Sequence, residues 1–247
     1  MVTTPPSPSP PVAVVTGAAR RIGREIALSL AERGLAVVVH HGTSALEAET
    51  LVHQIRSQGG TAVSVSADLG DPRVAAMTVF EAAAALGPVS VLINSAAVFQ
   101  DSALPWLDVD HCSLHLNVNL LAPVFMTQQF QKQLGEGEFG HVINLLDWRA
   151  LRPGGDHLIY TASKAALVSV TRSLAQQLAP NILVNGIAPG AILPPEDRTS
   201  WHQQRAIESI PLKRTGSPRD VCAAIRFLLD SQFITGEVIH VTGGEEL

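Results

Sequence analysis

The sequence predicts an α/β protein, a doubly wound parallel sheet of roughly seven strands with helices on both faces. Three observations carry this. From Val12 onward, short apolar runs alternate with longer amphipathic segments, strand then helix. The strand runs are apolar almost throughout, as strands buried on both faces are. The first of them leads through a glycine turn directly into a helix, the unit with which sheets that bind nucleotides begin.

Composition supports one domain. The chain has 247 residues, 46% of them hydrophobic, enough for a full core across 11–247. The formal net charge of −5 offers no general surface for polyanions, so nucleic acid is not an expected partner. The two cysteines, Cys112 and Cys222, have no metal-ligand spacing and build no disulfide framework, which fits a reducing cytoplasm and no metal site. No apolar run is long enough to span a membrane. Residues 1–10 lack the basic and apolar regions of a signal peptide and read as a disordered, proline-rich tail.

Taken in order, the first strand is Val12 to Thr16. The turn G-A-A-R-R-I-G follows, and then a helix over R-E-I-A-L-S-L-A-E-R ending at Gly34. Gly17 allows the tight turn, and Gly23 lets the helix lie close to the strand. The helix N-terminus then faces a pyrophosphate. The second strand runs from Ala36 to His41. An acid commonly closes this strand and holds ribose hydroxyls, but here the end reads H-H-G-T-S. A carboxylate would repel a 2′-phosphate, and its absence permits one. Arg21 and Ser44 can donate to it, each charge-assisted bond adding about 1.5–3 kcal/mol. NADPH is therefore expected over NADH. His40 and His41 also read as plain strand-end residues.

A helix over about Ser44 to Ser57 ends at Gly59-Gly60. A strand from Thr61 to Ala67 leads to Asp68, a helix spans about Pro72 to Leu86, and a strand runs from Val89 to Asn94. Gly17, His40, Asp68 and Asn94 all fall at carboxyl strand ends, where such sheets bind ligands. Only 4% of the residues are aromatic, so Phe99 just beyond Asn94 is notable: it reads either as a platform for a flat heterocycle or as core. A long helix over about Val109 to Leu134 carries Asn117 and Asn119, polar groups that need partners. The strand from His141 to Leu146 ends at Asp147. A strand from Ile182 to Ala188 breaks at Pro189-Gly190. The polar stretch near 191–210, with Pro194, Pro195 and Trp201, reads as a substrate loop. A helix over Arg219 to Leu229, with Ser217 as cap and Pro218 at its first position, precedes the last strand, Gly236 to Thr242, and Gly243-Gly244.

The chemistry centres on Asp147 to Lys164. Tyr160 and Lys164 stand four apart at the start of an apolar-periodic helix, which puts phenol and ammonium on one face. A nearby cation lowers a phenol's pKa and makes it a usable proton donor or acceptor near neutral pH.

The order and spacing of T-G-A-A-R-R-I-G, A-D-L, N-S-A-A, Asn119, Y-T-A-S-K, N-G-I-A-P-G and V-T-G-G resemble the short-chain dehydrogenase/reductase family over nearly the whole chain after the tail. The resemblance implies a Rossmann-fold, NAD(P)-dependent oxidoreductase that assembles as a homotetramer through its long helices. It implies Tyr160 as catalytic acid/base, Lys164 as its partner and a ligand of the nicotinamide ribose, and Asn119 as holder of a water relay to Lys164. It places the cofactor along Gly17, Arg20, Arg21, Ile22 and Gly23, beside His40 and Ser44, past Asp68 and Leu69, across Asn94, Ser95 and Ala96, and against Pro189, Gly190 and Ile192.

Two departures are informative. The usual middle glycine of the first turn is Arg21. The usual catalytic serine, thirteen residues before the tyrosine, is Asp147. With Phe99 after N-S-A-A-V, and with L-A-P-N-I-L-V-N-G-I-A-P-G-A-I-L and P-L-K-R-T-G, they resemble the pteridine and dihydromonapterin reductase branch. That implies a small-molecule partner, a dihydropterin or dihydrofolate, bound by Arg21, Phe99, Asp147 and Tyr160. A serine donates to a developing oxyanion. A carboxylate accepts from ring N–H groups or passes on a proton, which suits a C=N bond. Other positions depart from that branch: Ser95, Ala97, Thr43 and Thr242 stand where it usually has asparagine, serine, arginine and aspartate. Two alternatives stay open, a 3-oxoacyl-thioester or other carbonyl reductase, and an NADP-binding sensor without turnover.

Overall fold

The computed structural model describes residues 10–100, 104–135, 137–194 and 209–247. The proline-rich tail up to residue 9, Trp201 and most of the expected substrate loop lie outside them.

Seven strands form one sheet in the order β3-β2-β1-β4-β5-β6-β7, every pairing parallel. They are β1 (Val12–Val15), β2 (Ala36–His41), β3 (Ala62–Ser66), β4 (Val89–Asn94), β5 (Gly140–Leu145), β6 (Ile182–Pro189) and β7 (Val238–Val241). The helices between them are α1 (Arg21–Glu32), α2 (Ala45–Ser57), α3 (Pro72–Ala84), α4 (Val109–Leu116), α5 (Ala122–Gln133), α6 (Leu158–Leu178) and α7 (Pro218–Asp230).

The sheet has two buried faces because its strands are apolar on both. Ala13, Val15, Val37 and Val39 pack with Ile26 and Leu30 of α1, Leu51 and Ile55 of α2, and Ile225 and Leu228 of α7. Val12, Val14, Ala36 and Val38 pack on the opposite side with Val79 of α3, Met126 and Phe130 of α5, and Ala175 and Leu178 of α6. Neighbouring positions along each strand thus serve opposite layers, the period-two alternation of a pleated strand.

The sequence pattern and the structure differ at two places. The expected single helix over 109–134 is broken by one π turn at Asn117–Leu121, closed by the Ala122 N–H donating to the Asn117 carbonyl. The cause is Pro123, which has no N–H for the carbonyl of Asn119 and whose ring crowds it, so regular α geometry cannot pass through. The last strand is shorter than read. Gly236 sits at φ +80° and donates to the Val184 carbonyl before the ladder begins. At α7 the expected cap holds, with Asp220 Oδ2 accepting from both the Ser217 N–H (2.8 Å) and its hydroxyl (2.9 Å).

Candidate active site

Between β1 and β4 the chain connections leave in opposite directions, which opens a crevice at the carboxyl ends. A cavity of about 1290 Å³ occupies it. Its wall runs from Gly17, Arg20, Arg21, Ile22 and Gly23, past Ser95, Ala96 and Phe99, to Asp147, Tyr160 and Lys164. It continues along Pro189, Gly190 and Ile192 to Glu245.

The first turn is built on close approach. Gly17 has φ +63°, and a Cβ there would stand 2.8 Å from the Ala96 Cα across the crevice. A Cβ on Gly23 would stand 2.3 Å from the Gly17 carbonyl oxygen. Thr16 Oγ1 ties the two walls together, accepting from the Ser95 and Ala96 N–H groups at 3.0 and 3.1 Å. The N-terminus of α1 has no side-chain cap, and its first residues line the cavity. Uncapped N–H groups, an approach open only where Cβ atoms are missing, and a positive dipole end suit a pyrophosphate. The residues present therefore fit a dinucleotide.

Arg21 stands where the family pattern has glycine, and it keeps the glycine conformation, φ +54°. Its Nη2 donates to the Pro194 carbonyl at 3.1 Å, in the stretch expected to form the substrate loop. Its neighbour Arg20 turns to Ser44, donating to the Ser44 hydroxyl, with Glu47 3.7 Å away. Ser44 is thus held by Arg20, and both arginines line the cavity.

Among the expected cofactor residues, His40, Ser44, Asp68, Leu69 and Asn94 do not lie on the cavity wall. His40 is buried. Its Nδ1 accepts from the Gly17 N–H at 3.1 Å, so its Nε2 carries the proton and donates to the Ala67 carbonyl at 3.1 Å. Burial lowers its pKa to about 4 and keeps the ring neutral. Both nitrogens serve the fold, locking the first turn to the ends of β2 and β3. Asp68 accepts from the Gly70 N–H at 2.8 Å. Asn94 donates to Asn144 Oδ1 (2.8 Å), and Asn144 donates to Thr171 Oγ1 (2.9 Å), so β4, β5 and α6 are joined through a buried polar chain.

The three reactive groups meet where β5 ends and α6 begins. Tyr160 O–H donates to Asp147 Oδ2 at 2.7 Å, while Asp147 Oδ1 accepts from the Arg149 N–H at 2.8 Å. Lys164 Nζ, buried, donates to the Leu145 carbonyl at 2.6 Å. Asn119, turned inward on the π turn, brackets Val98. Its Oδ1 accepts from the Val98 N–H (2.8 Å), and its Nδ2 donates to the Val98 carbonyl (3.0 Å) and to Ser163 Oγ (3.1 Å).

The electrostatics differ from the expectation of a phenol acidified by lysine. The Tyr160 pKa is pushed well above its ordinary value, first by burial and then by the Asp147 carboxylate that takes its hydrogen bond. Burial lowers Lys164 to about 8, opposed by the attraction of Asp147. The phenol is therefore held protonated, a proton donor rather than a standing base.

Phe99 lines the cavity 53% exposed. Its ring stacks on His157 at 4.1 Å and meets Tyr160 edge-on at 4.6 Å. Trp148 also lies on the wall. The sequence reading missed His157 and Glu245. Glu245 is buried, with Oε2 accepting from the Ala191 N–H at 3.2 Å and Oε1 from the Ser209 hydroxyl at 3.4 Å. Its one sequence signal is an acid directly after Gly243-Gly244.

A parallel sheet opened at its switch point, with a glycine-lined helix N-terminus at one end of the cleft and a buried Tyr-Asp-Lys group at the other, defines a nucleotide-dependent oxidoreductase. A family model described as enoyl-(acyl carrier protein) reductase matches residues 17–246. An uncharacterized oxidoreductase of Methylorubrum extorquens is 35% identical over 243 residues, covering 94% of this chain and 96% of its own. A 3-oxoacyl-[acyl-carrier-protein] reductase of Synechocystis is 30% identical over 94% of this chain and 96% of its own. Among solved structures, FolM alternative dihydrofolate reductase 1 from Brucella canis, complexed with NADP, superposes with a TM-score of 0.91 at 34% identity, covering 96% of this chain and 94% of that one. The chain belongs to the short-chain dehydrogenase/reductase family. Among the described residues no helix is long and apolar enough to cross a membrane.

Proposed function

We propose that the protein is an NADPH-dependent pteridine reductase acting on a dihydropterin or dihydrofolate. The observation that carries this is Asp147 in hydrogen bond with Tyr160, beside the exposed ring of Phe99. Likeness to the NADP-bound Brucella enzyme supports it. The N-terminus of α1, with Gly17, Ile22 and Gly23, would hold the pyrophosphate, and Arg20 with Ser44 the 2′-phosphate. Ser95, Ala96, Pro189, Gly190 and Ile192 would border the nicotinamide end. When bound, NADPH supplies a hydride.

The protein's own part is to present the substrate and move one proton. Phe99 offers a flat apolar surface to a pterin ring. Arg21 reaches the same end of the cleft. Asp147 accepts from the substrate's N–H groups. Tyr160 gives its proton to the nitrogen next to the carbon being reduced, and the repulsion of Asp147 for the resulting phenolate drives its reprotonation. Lys164 holds a positive charge behind the pair below about pH 8, and Asn119 steadies the segment carrying Phe99. The same reading includes a single domain over 11–247 and assembly as a homotetramer.

A second reading, reduction of a 3-oxoacyl thioester, is favoured by the Synechocystis relative. It is weakened by Asp147, which offers no donor to an oxyanion. NADPH and NADH oxidation with dihydromonapterin, dihydrobiopterin, dihydrofolate and acetoacetyl-CoA separates the two. Pterin turnover abolished in Asp147→Ser is the expected result. Turnover of acetoacetyl-CoA alone, kept or raised in Asp147→Ser, overturns it.

A further inference from the structure

Phe99 sits in an irregular segment after β4, yet the peptide groups on both sides of it are fastened. On one side Asn119 bonds both the N–H and the carbonyl of Val98, at 2.8 and 3.0 Å. On the other side two histidines take the N–H and the carbonyl of Gln100. The Gln100 N–H donates to His115 Nε2 at 3.4 Å, and His157 Nδ1 donates to the Gln100 carbonyl at 3.2 Å. The tautomers are settled by the partners. His115 Nδ1 lies 3.0 Å from the His111 carbonyl and must donate to it, which leaves Nε2 as acceptor. His115 is fully buried, and burial lowers its pKa, so the ring stays neutral and keeps that acceptor.

We infer that His157 and His115 are positioning residues whose shared grip on Gln100 sets the ring of Phe99 as the stacking surface for a flat heterocyclic substrate. His157 does this twice, once through Nδ1 and once through its ring, which covers one face of Phe99 at 4.1 Å with the planes 25° apart. It immediately precedes α6, three residues before Tyr160, so the platform and the proton donor are set by the same turn of chain. Its backbone stands at φ +50°, a left-handed conformation unfavourable for a residue with a Cβ, and such outliers persist where the surroundings hold them. With His157 stacked on it and Tyr160 set at 81° to it, Phe99 still keeps 53% of its surface exposed and lines the cavity. The inference rests on the pterin reading for the identity of the heterocycle, but the grip itself does not.

The test uses the full-length protein and four variants. His157→Ala removes ring and donor together. His157→Asn keeps a donor at the same reach and tolerates left-handed backbone, whereas His157→Phe keeps only the ring. His115→Leu removes the acceptor. Two kinds of measurement are made: exchange of the Gln100 amide, which needs no substrate, and binding and turnover, as KM and kcat for dihydrobiopterin alongside the Kd for NADPH. The Gln100 amide is expected to exchange roughly tenfold faster in His115→Leu and His157→Ala. KM for the pterin is expected to rise roughly tenfold in His157→Ala, with partial recovery in each single-function variant and with NADPH Kd unchanged.

Unchanged Gln100 exchange in both variants overturns the grip. Faster exchange with unchanged pterin KM, or with NADPH Kd rising in step, overturns the platform role. A wild type that reduces no pterin while the Gln100 amide still responds sinks the substrate reading, leaving the grip established for a different flat substrate.

Discussion

Lys164 makes the sharpest energetic prediction, because a charged group is held in a dry place for the sake of the site. Its ammonium is buried against the Leu145 carbonyl, and its pKa falls from 10.5 to about 8. The unfolded chain therefore binds more protons than the folded one between those two values, so stability rises with pH through that window. The drop corresponds to about 3 kcal/mol, equivalent to roughly 6–12 °C in midpoint for a domain of this size. Lys164→Met removes the titration. Its other effect, loss of the hydrogen bond to Leu145, does not depend on pH and cancels when one protein is followed across pH. Urea unfolding, read by the three tryptophans, should show wild type gaining about 3 kcal/mol on the variant between pH 7.5 and 10.5. Titrations shared by both proteins drop out of the difference. Parallel pH profiles would refute the argument and place the ammonium in water in the folded state.

Three further outcomes follow from the geometry. Tyr160→Phe should lower kcat for the pterin by roughly 10²–10⁴-fold while leaving NADPH affinity nearly intact, checked by steady-state rates and cofactor titration. His40, lowered from 6.5 to about 4 in the fold, contributes stability that is complete above pH 6.5 and is lost as pH falls towards 4. Wild type should therefore lose about 3 kcal/mol more than His40→Asn over that range in denaturant unfolding. Gly17→Ala forces a Cβ to 2.8 Å from the Ala96 Cα at φ +63°. It should cost about 1–3 kcal/mol of stability and weaken NADPH binding at least tenfold by calorimetry.

The sheet was legible because its signal is local and repeated. Each strand is an apolar run, each helix has its own period, and the alternation leaves one topology class open. The break at Asn117–Leu121 was not, because one extra residue in a turn barely disturbs a 3.6-residue period; the available sign was Pro123. Tyr160, Lys164 and Asp147 were legible as a group, since a helix converts spacing into direction and the departure from serine stands out. The electrostatics were not. A spacing of four says that lysine and phenol share a face, but only the structure sends the ammonium to the Leu145 carbonyl and the phenol to Asp147. Which of Arg20 and Arg21 reaches Ser44 was hidden for a related reason. Arg21 takes a left-handed backbone, and the consecutive side chains go to different partners, Arg20 to Ser44 and Arg21 to the Pro194 carbonyl; no side-chain chemistry announces it. His115 and His157 carry no motif because they act on the backbone of Gln100, 15 and 57 residues away.

The exchange of serine for Asp147 changes what the tyrosine can be. Beside a serine, a buried phenol gives its proton to a carbonyl oxygen that a second hydroxyl also supports. Beside a carboxylate, that oxygen would face a negative charge, and the phenol's own proton is already engaged, 2.7 Å from Asp147 Oδ2. An incoming ring nitrogen avoids the conflict. Its neighbouring N–H groups would satisfy the carboxylate and free the phenol to turn its proton to the nitrogen. The same carboxylate raises the energy of the phenolate that remains. Under the pterin reading proposed above it would both select a substrate with donors and speed recovery of the donor, two effects that a ketone substrate would receive only as repulsion.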